Sequence, residues 1–325
     1  MYAKYYNLDG IPFQLTPDSR FFFGSSGHSR AIAHLVYGLA QQEGFIIITG
    51  EVGAGKTTLV EQLWSQLDHR TYVMASVVTT QVSGDDLLRL VVTSFGLDQS
   101  GADKATLLRR LERLFREERA LGRRCVLVVD EVQNLPIAAL EELRMLSNIT
   151  VDGRSPLQTI LLGQPQFRRI LASPDLDQLR QRVLAAYHLG PLSEEETRAY
   201  IEHRLKTVGW TGDNPSWEEA AFKSVFRHTG GVPRRINTLC SRVLLYGSLE
   251  ETSVINTDMV ETTAAELKQD LGSVTNGRGP PVPAETGPTP SLLPRIQALE
   301  AGVARQERIF RRLLDLLGAY LEPQR

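Results

Sequence analysis

Two short stretches carry the residue types that phosphate chemistry needs. GEVGAGKTTL, at 50–59, sets a lysine and two threonines behind three glycines in the spacing G-x-x-x-x-G-K-[ST]. Glycines let a backbone curl tightly. The amides of Gly50, Glu51, Val52, Gly53, Ala54, Gly55, Lys56, Thr57 and Thr58 can then line an anion nest at a helix start. In such a nest Lys56 reaches the β- and γ-phosphates as a point charge, and the Thr57 hydroxyl suits Mg²⁺. The second stretch, CVLVVDE at 125–131, is an apolar run ending in two acids. Asp130 would hold Mg²⁺ through water, and Glu131 would polarise an attacking water. A solvated acidic turn is the ordinary alternative, but ligands of α/β folds bind at the carboxyl ends of strands. Taken together, the stretches predict a Mg²⁺-bound nucleoside triphosphate and its hydrolysis. No N-K-x-D-like segment marks guanine, so ATP is the expected nucleotide.

The elements that must position these groups show as apolar periodicity. Phe45–Thr49, Tyr72–Val78, Cys125–Val129, Gln158–Leu162 and Ala186–Leu189 read as strands, several of them continuous and β-branched. That is the pattern of strands buried on both faces. Helical patterns alternate with them, so residues 1–192 read as a doubly wound α/β domain with a five-stranded parallel sheet. Residues 1–44 supply an N-terminal segment and a helix ahead of the first strand. From Ser193 the strand signal fades, and 193–271 read as a domain of about four helices. Its first helix opens with Ser193 and Glu196 at capping-box spacing.

Residues 272–290 are a linker, because nine of these nineteen residues are Gly or Pro. In 291–321, Leu292, Ile296, Leu299, Val303, Gln306, Phe310, Leu313, Leu317 and Tyr320 step by four and three, a heptad seam with one polar break. This coiled-coil helix either associates with itself or another protein, or docks back on its own domain.

Composition narrows the classes. The chain has 325 residues, 42% of them hydrophobic, and a net charge of -2. That balance weighs against a dedicated nucleic-acid binder. Two cysteines, Cys125 and Cys240, make neither a disulfide framework nor a metal cluster, and buried free thiols are expected. Neither a signal peptide nor a run of about 18 apolar residues shows, so the expected location is cytoplasmic.

With PFQLTPDSRFFFGSSGHSRAIAHLVYGL, EGFIIITGEVGAGKTTL, VLVVDEVQNLP, LEELRMLSN, LLGQPQFR, LRQRVLAAYHLGPL, ETRAYIEHRL and GGVPRRINTLC, the chain resembles an AAA+ ATPase, a P-loop NTPase. It is most similar to the secretion ATPases of the general secretion pathway protein A type. Within them it resembles the ATPase of exosortase/PEP-CTERM exopolysaccharide loci. The resemblance covers roughly residues 1 to 268. It implies that 193–271 form a lid, that Gln164 is the polar first sensor, and that Arg234 is the second sensor, with Arg235 as its neighbour. It matches Arg182 to an arginine sent into the neighbouring subunit's site, with Arg180 as fallback. It places Phe22, Phe23 and His28 near the adenine, although core packing rivals this for the phenylalanines. The general secretion relatives carry a membrane span and a cell-wall-binding region that are not expected here.

The resemblance implies a ring-like homo-oligomer and envelope secretion or polysaccharide proteins as partners; the C-terminal helix, outside the resemblance, would contact them, the charge balance argues for no nucleic acid, and contact with the inner membrane is expected only through partners. The expected role is an ATP-driven motor for polysaccharide export. A DNA-associated AAA+ regulator or loader, and a nucleotide-gated scaffold with slow turnover, stay open beside it.

Overall fold

The computed structural model describes residues 2–16, 18–41, 43–78 and 82–272. The heptad segment, and the linker beyond residue 272, lie outside the described residues. In chain order, a short helix α1 (Tyr2–Tyr5) precedes α2 (Ser26–Gln41), β1 (Phe45–Gly50), α3 (Lys56–Gln66), β2 (Tyr72–Val78), α4 (Gly84–Ser94) and α5 (Lys104–Ala120). Next come β3 (Arg124–Asp130), α6 (Ile137–Leu146), β4 (Leu157–Gly163), α7 (Gln166–Leu171), α8 (Asp177–Arg180) and β5 (Val183–Leu189). The remainder is α9 (Glu194–Thr207), β6 (Ser216–Trp217), α10 (Glu219–Thr229), α11 (Pro233–Leu249), β7 (Val254–Ile255) and α12 (Thr257–Gly272).

The five expected strands form one sheet in the order β2-β3-β4-β1-β5, with every pairing parallel. Alternation along the strands divides two cores. Phe45, Ile47, Cys125, Leu127 and Val129 face one way, against α4, α5 and α6. Ile46, Ile48, Val126 and Val128 face the other, against α2 and α3. Each such side chain contributes about 1.5–3 kcal/mol by leaving water. Both faces being covered is why these strands read as unbroken apolar runs. The chain leaves β1 for the far side of the sheet and returns beside it as β4 and then β5, so β1 sits at the switch in strand order. Crevices at the carboxyl ends of strands at such a point are where α/β folds bind ligands.

The strand β5 begins three residues earlier than its apolar pattern suggests. It is an edge strand, only partly buried, so its first residues carry little hydrophobic signal. A second correction falls in 193–271, read as purely helical. Ser216–Trp217 pairs in parallel with Val254–Ile255, too short a ladder for periodicity to reveal. The four expected helices are α9 to α12. The Ser193 capping box forms: the Glu196 amide donates to Ser193 Oγ at 3.2 Å, and the Ser193 amide donates to the Glu196 carboxylate at 3.1 Å. The other oxygen of that carboxylate accepts the Ser26 amide, at the start of α2, at 2.8 Å.

Two compact units emerge, neither contiguous in sequence. One holds 12–207 with 226–238, and the other 1–11, 208–225 and 239 onward. The first contains the whole sheet, α9 and the start of α11. Among the described residues, no helix is long and apolar enough to cross a membrane.

Candidate functional site

The stretch 50–59 leaves the end of β1 and turns into α3. Gly53 and Gly55 take φ +81° and +95°, in the left-handed region that side-chain-bearing residues avoid. A Cβ on Gly53 would stand 2.2 Å from Arg234 Cβ, and one on Gly55 would stand 2.9 Å from His28 Nε2. The loop is thus curled and closely covered, which is the cradle that sequence spacing predicts. Gly55 also caps the start of α3, so the amides of its first turn lack intrahelical partners and are the donors an anion there would meet.

Lys56 is 6% exposed, and its ammonium donates to the carbonyls of Gly50 and Glu51 at 2.9 and 3.1 Å. Burial pushes its pKa down, while the carboxylates of Glu131, Asp130 and Glu51 pull it back up. Thr57 Oγ1 donates to Asp130 Oδ2 at 2.7 Å, joining the start of α3 to the end of β3. Asp130 is 6% exposed, and its other oxygen accepts the Glu131 amide at 2.8 Å. A hydroxyl and a carboxylate oxygen adjoining a phosphate cradle are the hard donors a magnesium ion takes, with phosphate and water completing the shell. Thr57 and Asp130 would hold it. No group of three His, Cys, Asp or Glu forms an all-protein cage among the described residues.

Glu131 adopts φ 55°, ψ 37°, left-handed backbone that costs a non-glycine residue of order 1–3 kcal/mol. This turn ends β3 sharply and directs the carboxylate toward the end of β4. There Gln164 Nε2 donates to Glu131 Oε2 at 3.2 Å. The carboxyl ends of β1, β3 and β4 thus unite Lys56, Thr57, Asp130, Glu131 and Gln164.

A cleft of about 390 Å³ lies over the loop. Val52 through Thr58 and Glu131 line one side of it. Phe22, Phe23 and His28, the residues expected at the base, line another, together with Phe21. His28 is 6% exposed, with its Nδ1 2.7 Å from Ser25 Oγ. Burial pushes its pKa down, opposed by the Glu196 carboxylate. Arg234 also lines the cleft, whereas Arg235 is not among its lining residues, and the Arg234 amide donates to Gly53 O at 3.2 Å.

The arginines before β5 lie elsewhere. Arg182 O accepts the Phe45 amide at 2.8 Å, which places Arg182 at the amino end of the sheet. That is about 20 Å, one strand length, from its own loop. Its guanidinium donates to Ser147 O and Oγ at 3.1 and 3.2 Å, at the carboxyl end of α6. Arg180 pairs with Asp177. Neither reaches the nucleotide loop of its own chain.

Sequence reading missed one wall of the cleft. Arg204 is 6% exposed. It donates to the carbonyls of Pro12 and Gln14 and to Tyr200 Oη, and lies 4.5 Å from the Phe21 ring centroid. Tyr200 Oη in turn donates to Asn237 Oδ1 at 2.9 Å. Within IEHRL, Arg204 looks like any helix-surface arginine, because its carbonyl acceptors come from some 190 residues away.

A five-stranded parallel sheet in this order, with a phosphate cradle after β1 and an acidic pair after β3, is a P-loop domain of the AAA+ class. Residues 39–171 match the AAA domain family. Over this stretch the chain is related to the AAA domain family, and over a longer one to a secretion-pathway protein. It is 38% identical over 249 residues to General secretion pathway protein A of Aeromonas hydrophila, covering 75% of this chain and 44% of that one. The chain therefore spans less than half the length of that relative. In fold it is similar to the ORC2 protein of Aeropyrum pernix in its ADPNP-ADP complexes (TM-score 0.62, 17% identity, 79% of this chain and 72% of that one). Cdc6p of Pyrobaculum aerophilum is similar to the same degree (TM-score 0.62, 15% identity, 77% and 71%).

Proposed function

We propose that this chain binds ATP with Mg²⁺, hydrolyses it, and couples the cycle to the assembly or operation of an envelope polysaccharide export system. The observation that carries the hydrolytic part is the joined set Thr57–Asp130–Glu131–Gln164 beside the Lys56 cradle. A site built only to hold a nucleotide has no need of a strained glutamate beyond the metal-binding aspartate. Relatedness to General secretion pathway protein A supports the secretion part. The likeness of the quoted motifs to ATPases of exosortase/PEP-CTERM loci supports polysaccharide export in particular.

On this reading the loop amides and Lys56 hold the β- and γ-phosphates, and the aromatic wall with His28 packs the base. When bound, Mg²⁺ supplies charge neutralisation on the phosphate oxygens. Glu131 accepts a proton from a water as its oxygen attacks the γ-phosphorus. The bond from that phosphorus to the β–γ bridging oxygen breaks, giving ADP and phosphate. Gln164 holds the water in line. Arg182 of a second copy meets the charge developing on the γ-phosphoryl group, which makes turnover depend on a ring-like assembly. Arg234, whose backbone touches the loop, carries the change to residues 193–271 as a lid. Envelope proteins contacted through the C-terminal helix receive the motion at the inner membrane.

The test pairs nucleotide binding with turnover. Glu131→Gln is expected to bind ATP with wild-type affinity and to lose about 10²–10⁴-fold in kcat, the range of a positioned general base. Undiminished turnover would refute hydrolysis by this site. Polysaccharide export that survives Glu131→Gln would refute the motor and leave a nucleotide-gated scaffold. Salt-sensitive retention of DNA would point to a DNA-associated role instead.

A further inference from the structure

Resting on the hydrolytic reading above, we infer that Gln133 is a positioning residue for it: one amide that ties the glutamate ending β3 to the sensor ending β4. Gln133 lies in a short 3-10 turn, Val132–Asn134, directly after Glu131. Its Nε2 donates to Glu131 Oε2, and its Oε1 accepts the backbone amide of Gln164 at 2.9 Å. Chemistry fixes that orientation. A carboxylate only accepts and a backbone N–H only donates, so the bridge must offer a donor and an acceptor at once, as the two-faced amide of Gln133 does. Gln164 Nε2 closes the ring on the same Glu131 oxygen at 3.2 Å.

Glu131 Oε2 thus takes two amide donors from two different segments, one 2 and the other 33 residues along the chain. Gly163, just before Gln164, leaves room for the bridge: a Cβ there would stand 3.3 Å from Gln133 Oε1. Val132, between the acid and the amide, is fully buried and anchors the turn in the core. Any shift of the Gln164 backbone on meeting a γ-phosphate therefore pulls on Gln133 Oε1, and the same rigid amide moves its nitrogen against the glutamate. Gln133 touches neither nucleotide nor water in this scheme and acts through Glu131 alone. An alanine leaves both partners unbridged. A glutamate of the same size keeps the acceptor for Gln164, loses the donor, and sets a like charge against Glu131.

The test uses the full chain, with kcat, KM and the Kd of a fluorescent ATP analogue measured for each variant. Gln133→Ala is expected to lower kcat about tenfold or more with Kd within about twofold, the pattern of a group that acts only in the chemical step. Gln133→Glu, which preserves volume, is expected to lose at least as much. In a Glu131→Gln background, Gln133→Ala is expected to change the residual rate less than about twofold, because residues acting as one unit are not additive. Wild-type kcat in both Gln133 variants, a loss that persists in the Glu131→Gln background, or a loss carried by Kd would each overturn the inference while leaving hydrolysis at this site standing. If Glu131→Gln itself turns over at the wild-type rate, the underlying reading falls and this inference with it.

Discussion

The two ends of the parallel sheet carry different chemistry. At the carboxyl end, Gly53 and Gly55 hold left-handed backbone under close cover, Lys56 is buried, and Glu131 is strained. At the amino end, Arg182 makes ordinary hydrogen bonds to the end of α6, and Arg180 makes a surface ion pair. Strain and buried charge persist only where surrounding structure over-determines them. Lys56 and Glu131 bring both to the carboxyl end, beside the loop where the proposed chemistry takes place. The amino end matters on the proposed reading because Arg182 has no part in its own loop: it stands a strand length away, with its guanidinium on Ser147, and would turn from there to a neighbour's site.

The most severe way to break this contrast is to remove that arginine. Arg182→Ala is expected to lower assembly-dependent turnover about 10³-fold, the lower end of what an arginine supplied to a phosphoryl-transfer site contributes. Arg180→Ala, which loses an exposed pair and a long hydrogen bond to Leu171 O, is expected to stay within about twofold. The check is ATPase rate against protein concentration, with oligomer mass followed on the same samples. Reversed results would pass the role to Arg180, and two silent variants would refute a contribution in trans.

A smaller effect separates the ends by glycine. Gly55→Ala meets both φ +95° and His28 at 2.9 Å, whereas Gly122→Ala, in the turn before β3, meets φ +74° and open space. Each costs stability through strain of order 1–3 kcal/mol, but only Gly55→Ala is expected to weaken nucleotide binding, by about tenfold or more. Equal Kd values in a titration with a fluorescent ATP analogue would remove the loop's geometry from the argument.

The smallest effect sharpens the electrostatics of the carboxyl end. Burial holds the native pKa of His28 below its ordinary value, so native His28 stays neutral where the unfolded chain is protonated. Stability is then full above about pH 6.5 and falls on acidification below it. The Glu196 carboxylate opposes the shift, and its own contribution is lost only at lower pH. His203 titrates in the same direction in both proteins and cancels on comparison. Denaturation at pH 7.5 and 5.5 is expected to show a pH-dependent loss smaller in His28→Gln than in wild type by up to about 1.4 kcal/mol. Identical losses would mean that His28 is protonated in the native state.

How much of this was legible in the sequence follows from how local each feature is. The inner strands were legible because burial on both faces leaves continuous apolar runs. The edge strand β5 was only half visible because its first residues are partly exposed. Lys56, Thr57, Asp130 and Glu131 announce themselves because their spacing and their chemistry belong to one short segment each. Gln133 stood in the quoted VLVVDEVQNLP without a role, since the partner that gives it one lies 31 residues away. Arg204 stood in the quoted ETRAYIEHRL without a role for the same reason, with Pro12 and Gln14 far off in the chain. The capping box was visible in ETRAYIEHRL and the serine before it, but the second use of Glu196, on the first turn of α2, was not.

The two cysteines turn the fold into its own clock. Both are buried and outside any disulfide, and burial with the nearby Glu118 charge pushes the Cys125 thiol up to about 12. Alkylating reagents attack the thiolate, so native Cys125 is protected until β3 opens. Cys125 belongs to the compact unit that holds the sheet, and Cys240 to the other. Mass spectrometry of a timed maleimide exposure therefore times the breathing of each unit separately, with no probe introduced and no residue changed.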